Sequence, residues 1–319
     1  MSDPELAAVT EAPSPPSRRH LPSDAPETKL VAHVRDALLA LPAHFLSNTV
    51  IEGIDAGDLF SLNSLLGSTI ERQVVDTLNR VRSIWDSSGQ WANYRFERFP
   101  QSFPDVRLVA HRDGRPALGI ELKGWYLLSR EGEPSFRYCT SPRVCSDFDL
   151  LVVVPWHLKS VLSGVPIVHE PYVEQAAYAA DFRNYYWQFQ RGDGAVNTGI
   201  VPPPTAEPYP ASRATIDDRP VNDAGGNFGR VARVHGLMEE YVTDLLSTYV
   251  AGLQARHWVQ FFKLYTERST PEMITTRLTR LIRRAHGSEA EAVADEILSG
   301  LRRLGALIED PGTSGTSPP

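Results

Sequence analysis

The sequence predicts an α/β protein, with a mixed central sheet flanked by helices and an additional helical region toward the C-terminal end. Three patterns predict it. Apolar residues recur at helical spacing over 68–85, aromatic and charged residues alternate over 94–99 as in a half-buried strand, and the apolar, valine-rich run at 150–155 is typical of a strand buried on both faces. The chain has 319 residues, 42% hydrophobic and 22% charged, which suits a globular protein of one or two domains.

The elements follow in order. Residues 1–27 hold Pro4, Pro13, Pro15, Pro16, Pro22 and Pro26 among small and acidic residues, a composition expected to form a disordered tail. Over 29–47, Leu30, Val31, Val34, Leu38, Leu41 and Phe45 mark one helix or two short ones interrupted near Pro42. Ile70, Val74, Val75, Leu78 and Val81 form the stripe of a helix from Ser68 to about Trp85, and Ser68 with Glu71 fits a capping box. Strands are expected at Tyr94–Phe99 and Val106–Ala110, and Asp113-Gly114 signals a hairpin into a strand from Ala117 to Leu128. A buried strand at Leu150–Pro155 and a helix over 172–190 complete a core spanning 28–191. The proline-rich stretch 192–229 reads as an irregular loop or linker, 230–310 as a helical region, and 311–319 as a disordered tail. Within the helical region, helices are expected at 230–267, 271–285 and 288–304, the second carrying Arg277, Arg280, Arg283 and Arg284.

Composition excludes several classes. No apolar run reaches the roughly 18 to 20 residues that cross a bilayer, and the first residues lack the pattern of a signal peptide, so a cytoplasmic protein without a membrane partner is expected. Cys139 and Cys145 are the only thiols, too few for a disulfide framework and without neighbours for a zinc site. Any metal must therefore take oxygen ligands. A net charge of −7 argues against non-specific coating of nucleic acid but leaves room for a local basic face. His111, His157 and His169 form no metal-binding spacing, and no nucleophile elbow or phosphate-binding glycine loop occurs.

The chemistry concentrates in Phe103-Pro104-Asp105-Val106 and, after the hairpin, Gly119-Ile120-Glu121-Leu122-Lys123-Gly124. Strand side chains alternate, so Glu121 and Lys123 share one face while Ile120 and Leu122 point into the core. Asp105 on the partner strand then lies beside Glu121, giving two hard oxygen ligands next to an ammonium. That set suits Mg²⁺ and phosphodiester hydrolysis: the carboxylates hold the ion, and Lys123 orients water or offsets developing charge.

Pro104-Asp105 followed by Glu121-Leu122-Lys123 resembles the PD-(D/E)xK nuclease superfamily, which includes many type II restriction endonucleases, resolvases and repair nucleases. The resemblance spans about 68–190. It implies a restriction-endonuclease-like core, Mg²⁺ held by Asp105 and Glu121, and Lys123 assisting the attacking water. Glu71 occupies the place of the helix glutamate that many members add as a further catalytic and metal-binding acid. Gln175 lacks the fuller spacing of the superfamily's helix glutamine and is expected to be a surface residue.

Each residue also has a plainer reading. Glu71 serves equally as the return arm of the capping box, Asp105 after Pro104 as turn chemistry, and Glu121 with Lys123 as a solvated strand face. Arg130, Arg137 and Arg143 follow the third strand closely and are candidate DNA-backbone contacts, or solvated loop charges. The arginines at 277, 280 and 284 share a helix face that either meets phosphates or pairs with Glu289, Glu291, Asp295 and Glu296.

The resemblance therefore implies a Mg²⁺-dependent endodeoxyribonuclease acting on double-stranded DNA. A single-chain nuclease core with an accessory region and no motor motif suggests type II restriction character in defence against foreign DNA. Symmetric cutting leads us to expect a homodimer. The alternatives are a structure-specific repair or recombination nuclease of the same fold, and a non-catalytic DNA-binding module.

Overall fold

The computed structural model of the chain describes residues 13–54, 58–192, 198–204, 207–210 and 216–265, together with 270, 273 and 276. Two helices, α1 (Pro26–Leu39) and α2 (Leu41–His44), open it. Leu30, Val34, Ala37, Leu38 and Leu41 recur at three and four residues and are all buried, while Pro26 sits at the first helical position, where its missing N–H costs nothing. The helix α3 (Leu59–Arg80) and the short α4 (Arg82–Trp85) follow.

α3 begins nine residues before the expected start at Ser68. Leu59 and Leu62 are buried and extend the stripe of Ile70, Val74 and Leu78 toward the N-terminus, so Ser68 lies mid-helix and no capping box forms there. Glu71 is consequently free of a capping duty.

The strands β1 (Tyr94–Arg98), β2 (Val106–Ala110) and β3 (Pro116–Tyr126) form an antiparallel meander. β3 then runs parallel to β4 (Leu150–Leu158), with Ile120 opposite Leu150 and Tyr126 opposite Trp156. Antiparallel strands β5 (Pro166–Val168) and β6 (Tyr172–Gln175) pair with opposite ends of β4. β4 is thus central, and all nine of its residues are buried, as its uninterrupted apolar character demands. α3 packs on β3 and β1, and α5 (Ala176–Tyr185) packs on β4 and β6.

The expected helix over 172–190 starts four residues late. Tyr172–Gln175 satisfies the free backbone edge of β4 instead, and the helix begins only at the small residues Ala176, Ala177, Ala179 and Ala180, which approach the sheet closely and are fully buried or nearly so. At its far end the backbone widens into a π-helical turn over Tyr186–Gln190.

Residues 13–25 were expected in the disordered tail, yet they lie strapped across this edge. Arg18 grips Glu174 with Nε–Oε1 at 3.0 Å and Nη2–Oε2 at 2.7 Å, and the Gln175 side chain exchanges hydrogen bonds with the backbone N–H and C=O of Arg19 at 2.8 and 2.9 Å. A nearly buried carboxylate needs such a partner, and the tail supplies it. Gln175 is accordingly engaged rather than a free surface side chain.

The irregular residues 198–204, 207–210 and 216–229 pack on the core, joined by β7 (Ile200–Val201) and β8 (Arg219–Pro220). Their anchor is a buried ion pair: Arg183 Nη2 lies 2.8 Å from Asp218 Oδ2, while Arg183 Nη1 donates to the carbonyls of Tyr138 and Thr140. The expected continuous helix over 230–267 is broken into α6 (Glu239–Leu246), a hairpin of β9 (Tyr249–Val250) and β10 (Leu253–Gln254), and α7 (Ala255–Leu264). Ala251 and Gly252 both take positive φ, the backbone of a two-residue hairpin turn, which interrupts the helix. Val231, Met238, Leu245, Trp258 and Phe262 join the same hydrophobic core as the sheet. The expected helices at 271–285 and 288–304, including Arg277, Arg280, Arg283 and Arg284, lie outside the described residues apart from 273 and 276, as do 1–12 and the tail 311–319. Among the described residues no helix is long and apolar enough to cross a membrane.

Removing one partner of the Arg183–Asp218 pair strands a buried charge. Arg183→Met should lower the unfolding free energy by about 3–5 kcal/mol, and adding Asp218→Leu should restore part of it. Urea titration of the two variants measures both; a single variant as stable as the parent refutes the anchoring role.

Candidate active site

The β2–β3 hairpin builds the site. Its register pairs Val106 with Ile120 and Arg107 with Gly119, which sets Asp105 across from Glu121, and the Asp105 N–H donates to Glu121 Oε2 at 3.3 Å. Lys123, two residues along on the same face, reaches back between the acids. Its Nζ lies 2.7 Å from Glu121 Oε1 and 3.0 Å from Asp105 Oδ2. Three residues expected to converge therefore do so, and in one cluster. The face they share is not a solvated one: Glu121 is 8% exposed, with the Lys123 and Asp105 side chains 22% and 27% exposed.

This burial sets the electrostatics. Desolvation pushes the Glu121 carboxyl up to about 7; the ammonium of Lys123 opposes the shift and the charge of Asp105 adds to it. Burial also disfavours the charge on Lys123, but Glu121 and Asp105 outweigh it and hold the ammonium above its ordinary range. Lys123 is thus protonated at neutral pH.

Glu71, on α3, stands beside this cluster and outside it. Its Oε2 pairs with Arg98 Nη2 at 3.2 Å, across from the start of β2. Burial raises its pKa first, the Asp105 carboxylate raises it further, and Lys123 and Arg98 act against them. The acid is electrostatically in the neighbourhood, but its hydrogen bond goes to Arg98.

The donor set suits a hard cation in kind. Asp105 and Glu121 offer carboxylate oxygens from adjacent strands at a partly open position, the ligand type that Mg²⁺ takes while keeping several waters. Among the described residues no group of three or more His, Cys, Asp or Glu side chains stands in a metal-binding arrangement, so the candidate pair is Asp105 and Glu121, without Glu71 as a gathered third ligand.

The candidate backbone-contact arginines disperse. Arg130 is half-buried just beyond β3. Arg137 is exposed, 3.3 Å from Asp223 Oδ2, and donates to the Gly226 carbonyl. Arg143 is exposed in a 3₁₀ turn on the rim of the cleft beside the N-terminal strap. None of the three touches the carboxylate cluster.

One residue that frames the site carries no sequence signal. Asp149, fully buried ahead of β4, accepts hydrogen bonds from the N–H of Gly119 and of Ser146, both at 2.8 Å, and from the Tyr209 hydroxyl. Gly119 is required there, because a Cβ would stand 2.3 Å from Pro104 Cγ and 2.6 Å from Asp149 Oδ1. Asp149 thereby ties β4 to the strand pair that carries Asp105 and Glu121. His157 and His169, scattered in sequence, meet with Nδ1 and Nε2 at 2.9 Å, and burial lowers the pKa of both.

Comparison of the chain with protein-family models, with curated proteins and with solved structures finds no match.

Burial raises the Asp149 carboxyl to about 6 from 3.8, against the three hydrogen bonds that favour its charge. Between these values the folded chain binds this proton more tightly than the unfolded one, so the stability it contributes is full below 3.8 and declines as pH rises to 6. Asp149→Asn should remove that decline, of roughly 3 kcal/mol or less. Urea unfolding of both proteins across this range tests it, and an unchanged pH slope in the variant disproves the assignment.

Proposed function

We propose that this chain is a Mg²⁺-dependent endodeoxyribonuclease with a restriction-endonuclease-like core, hydrolysing phosphodiester bonds in duplex DNA with type II restriction character, in defence against foreign DNA. The observation that carries the reading is the bridging of Asp105 and Glu121 by one ammonium, at 3.0 and 2.7 Å. Asp105 and Glu121 would hold the metal, which when bound polarises a phosphoryl oxygen and lowers the pKa of a coordinated water.

The remaining duties belong to Lys123. Two carboxylates alone repel an anionic substrate, and a fixed ammonium between them cuts that repulsion without a large rearrangement. Its three N–H bonds exceed the two acceptors it now contacts, which leaves a donor for a water or for an oxygen gaining negative charge. Asp149 and Gly119 keep the strand pair in register, so the three groups keep their spacing as DNA approaches.

Incubation of the protein with several plasmids in Mg²⁺ should give discrete fragments, and EDTA should abolish them. Asp105→Ala and Lys123→Ala should each lower the cleavage rate about a hundredfold or more, with DNA binding retained in a mobility-shift assay. Cleavage at branched or flapped structures alone would move the assignment to a repair nuclease. Absence of metal-dependent nicking or cutting on plasmid, linear and branched DNA ends the nuclease reading.

A further inference from the structure

A cavity lined by arginines lies at the far end of α5, and none of its lining residues is a carboxylate of the candidate active site. It has a volume of about 190 Å³ and is walled by the π-helical turn and by the loop that leads into Arg230. Three arginines converge on it: Arg191, Arg230 and Arg233, with Arg183 in the wall. Compensation is incomplete. Arg183 is matched by Asp218 and Arg233 by Glu133, whereas Arg191 and Arg230 form no ion pair among the described residues. Among the described residues, two guanidinium charges are left over.

The hydrogen-bond inventory points the same way. Arg230 Nε and Nη1 and Trp187 Nε1 are buried with no partner among the described residues, and Trp187 is only 3% exposed. Buried donors without acceptors are rare and call for a water or an anion. These three belong to two side chains lining one cavity, and every unmet group is a donor.

The site is also rigidly framed. The Arg191 guanidinium stacks on the Trp187 ring at 3.7 Å, and Phe228 meets the same indole edge-on at 5.1 Å. Gly229, at positive φ, accepts the Tyr138 N–H at 2.7 Å and leaves no room for a Cβ, which would lie 2.5 Å from Cys139 Sγ. This fixes where Arg230 starts. The π-helical turn places Trp187 and Arg191 on the cavity side, and such turns recur at functional sites.

We propose that this cavity binds the phosphate group of an anionic ligand. Guanidinium forks and an indole N–H match tetrahedral oxygens that only accept hydrogen bonds. The volume lies below the roughly 300 Å³ at which drug-sized pockets begin, so it takes one phosphate and its ester stub rather than a whole nucleotide. The Arg191 guanidinium lies over the indole, and Trp187 is only 3% exposed, which leaves no platform for a base. The phosphate comes either from a nucleic-acid backbone or from a free phosphate compound. The inference does not rest on the nuclease reading, since none of its residues belongs to the carboxylate cluster.

Thermal unfolding and calorimetry of the full chain with inorganic phosphate, against chloride at equal ionic strength, test it. Phosphate should raise the melting temperature, and Arg230→Gln and Arg191→Ala should each weaken its affinity roughly tenfold. Asp105→Ala should leave phosphate binding unchanged, which separates this site from the proposed active site. A short DNA duplex distinguishes the sources: a tenfold loss of DNA affinity in both arginine variants identifies the backbone phosphate, and phosphate binding without such a loss identifies a free one. If chloride reproduces the stabilisation, or neither probe responds to either arginine, the proposal is overturned.

Discussion

The candidate active site depends on one ammonium held between two carboxylates. Without Lys123, Asp105 and Glu121 would face each other as like charges on neighbouring strands, one of them nearly out of contact with solvent. Desolvation already drives Glu121 toward its neutral form, and a second acid nearby adds to that drive. The lysine counters both effects, and the two acids in turn keep it charged against its own burial. The cluster is mutually supporting: Lys123 favours the charged form of Glu121, and the two acids favour the charged form of Lys123. Such a site is costly for stability, because each charge is partly stripped of water, and the cost is spread over a hairpin whose register is pinned from two sides.

That pinning explains why the convergence was legible and what was not. Asp113-Gly114 marks the turn, alternation assigns Glu121 and Lys123 to one face, and the short separation from Asp105 to Glu121 leaves few registers to choose from. Local turn chemistry and strand period suffice when partners are close in sequence. Asp149 escaped because it stabilises the hairpin from across a parallel pairing, and an isolated acid before an apolar run has no pattern of its own. Ser68-x-x-Glu71 misled because a capping box needs only four residues, whereas the true start at Leu59 depended on Leu59 and Leu62 finding a core built largely from later elements.

The same distinction separates the two ends of the sheet. Tyr172–Gln175 carries helical spacing and still forms a strand, since the open edge of β4 offers backbone hydrogen bonds that propensity cannot foresee. The proline-rich start of the chain looks disordered by composition, yet Arg18 and Arg19 find their partners 156 positions away, at Glu174 and Gln175. Ordering those residues costs conformational entropy, offset by charge-assisted hydrogen bonds to an acid that burial would otherwise leave exposed to its own desolvation.

Arg183 joins the irregular residues after α5 to the core and to the wall of the arginine-lined cavity. Its guanidinium binds the carbonyls of Tyr138 and Thr140, pairs with Asp218, and forms part of the wall of the arginine-lined cavity. Burial, with the neighbouring Cys145, opposes ionisation of the Tyr138 hydroxyl, which donates to the Ala176 carbonyl, and the Tyr138 backbone is bonded to Gly229, which precedes Arg230. One short segment therefore reaches α5 through a side chain and the surroundings of the cavity through its backbone. Close-packed interiors do not deform piecemeal, so a displacement of this segment has to be felt on both sides.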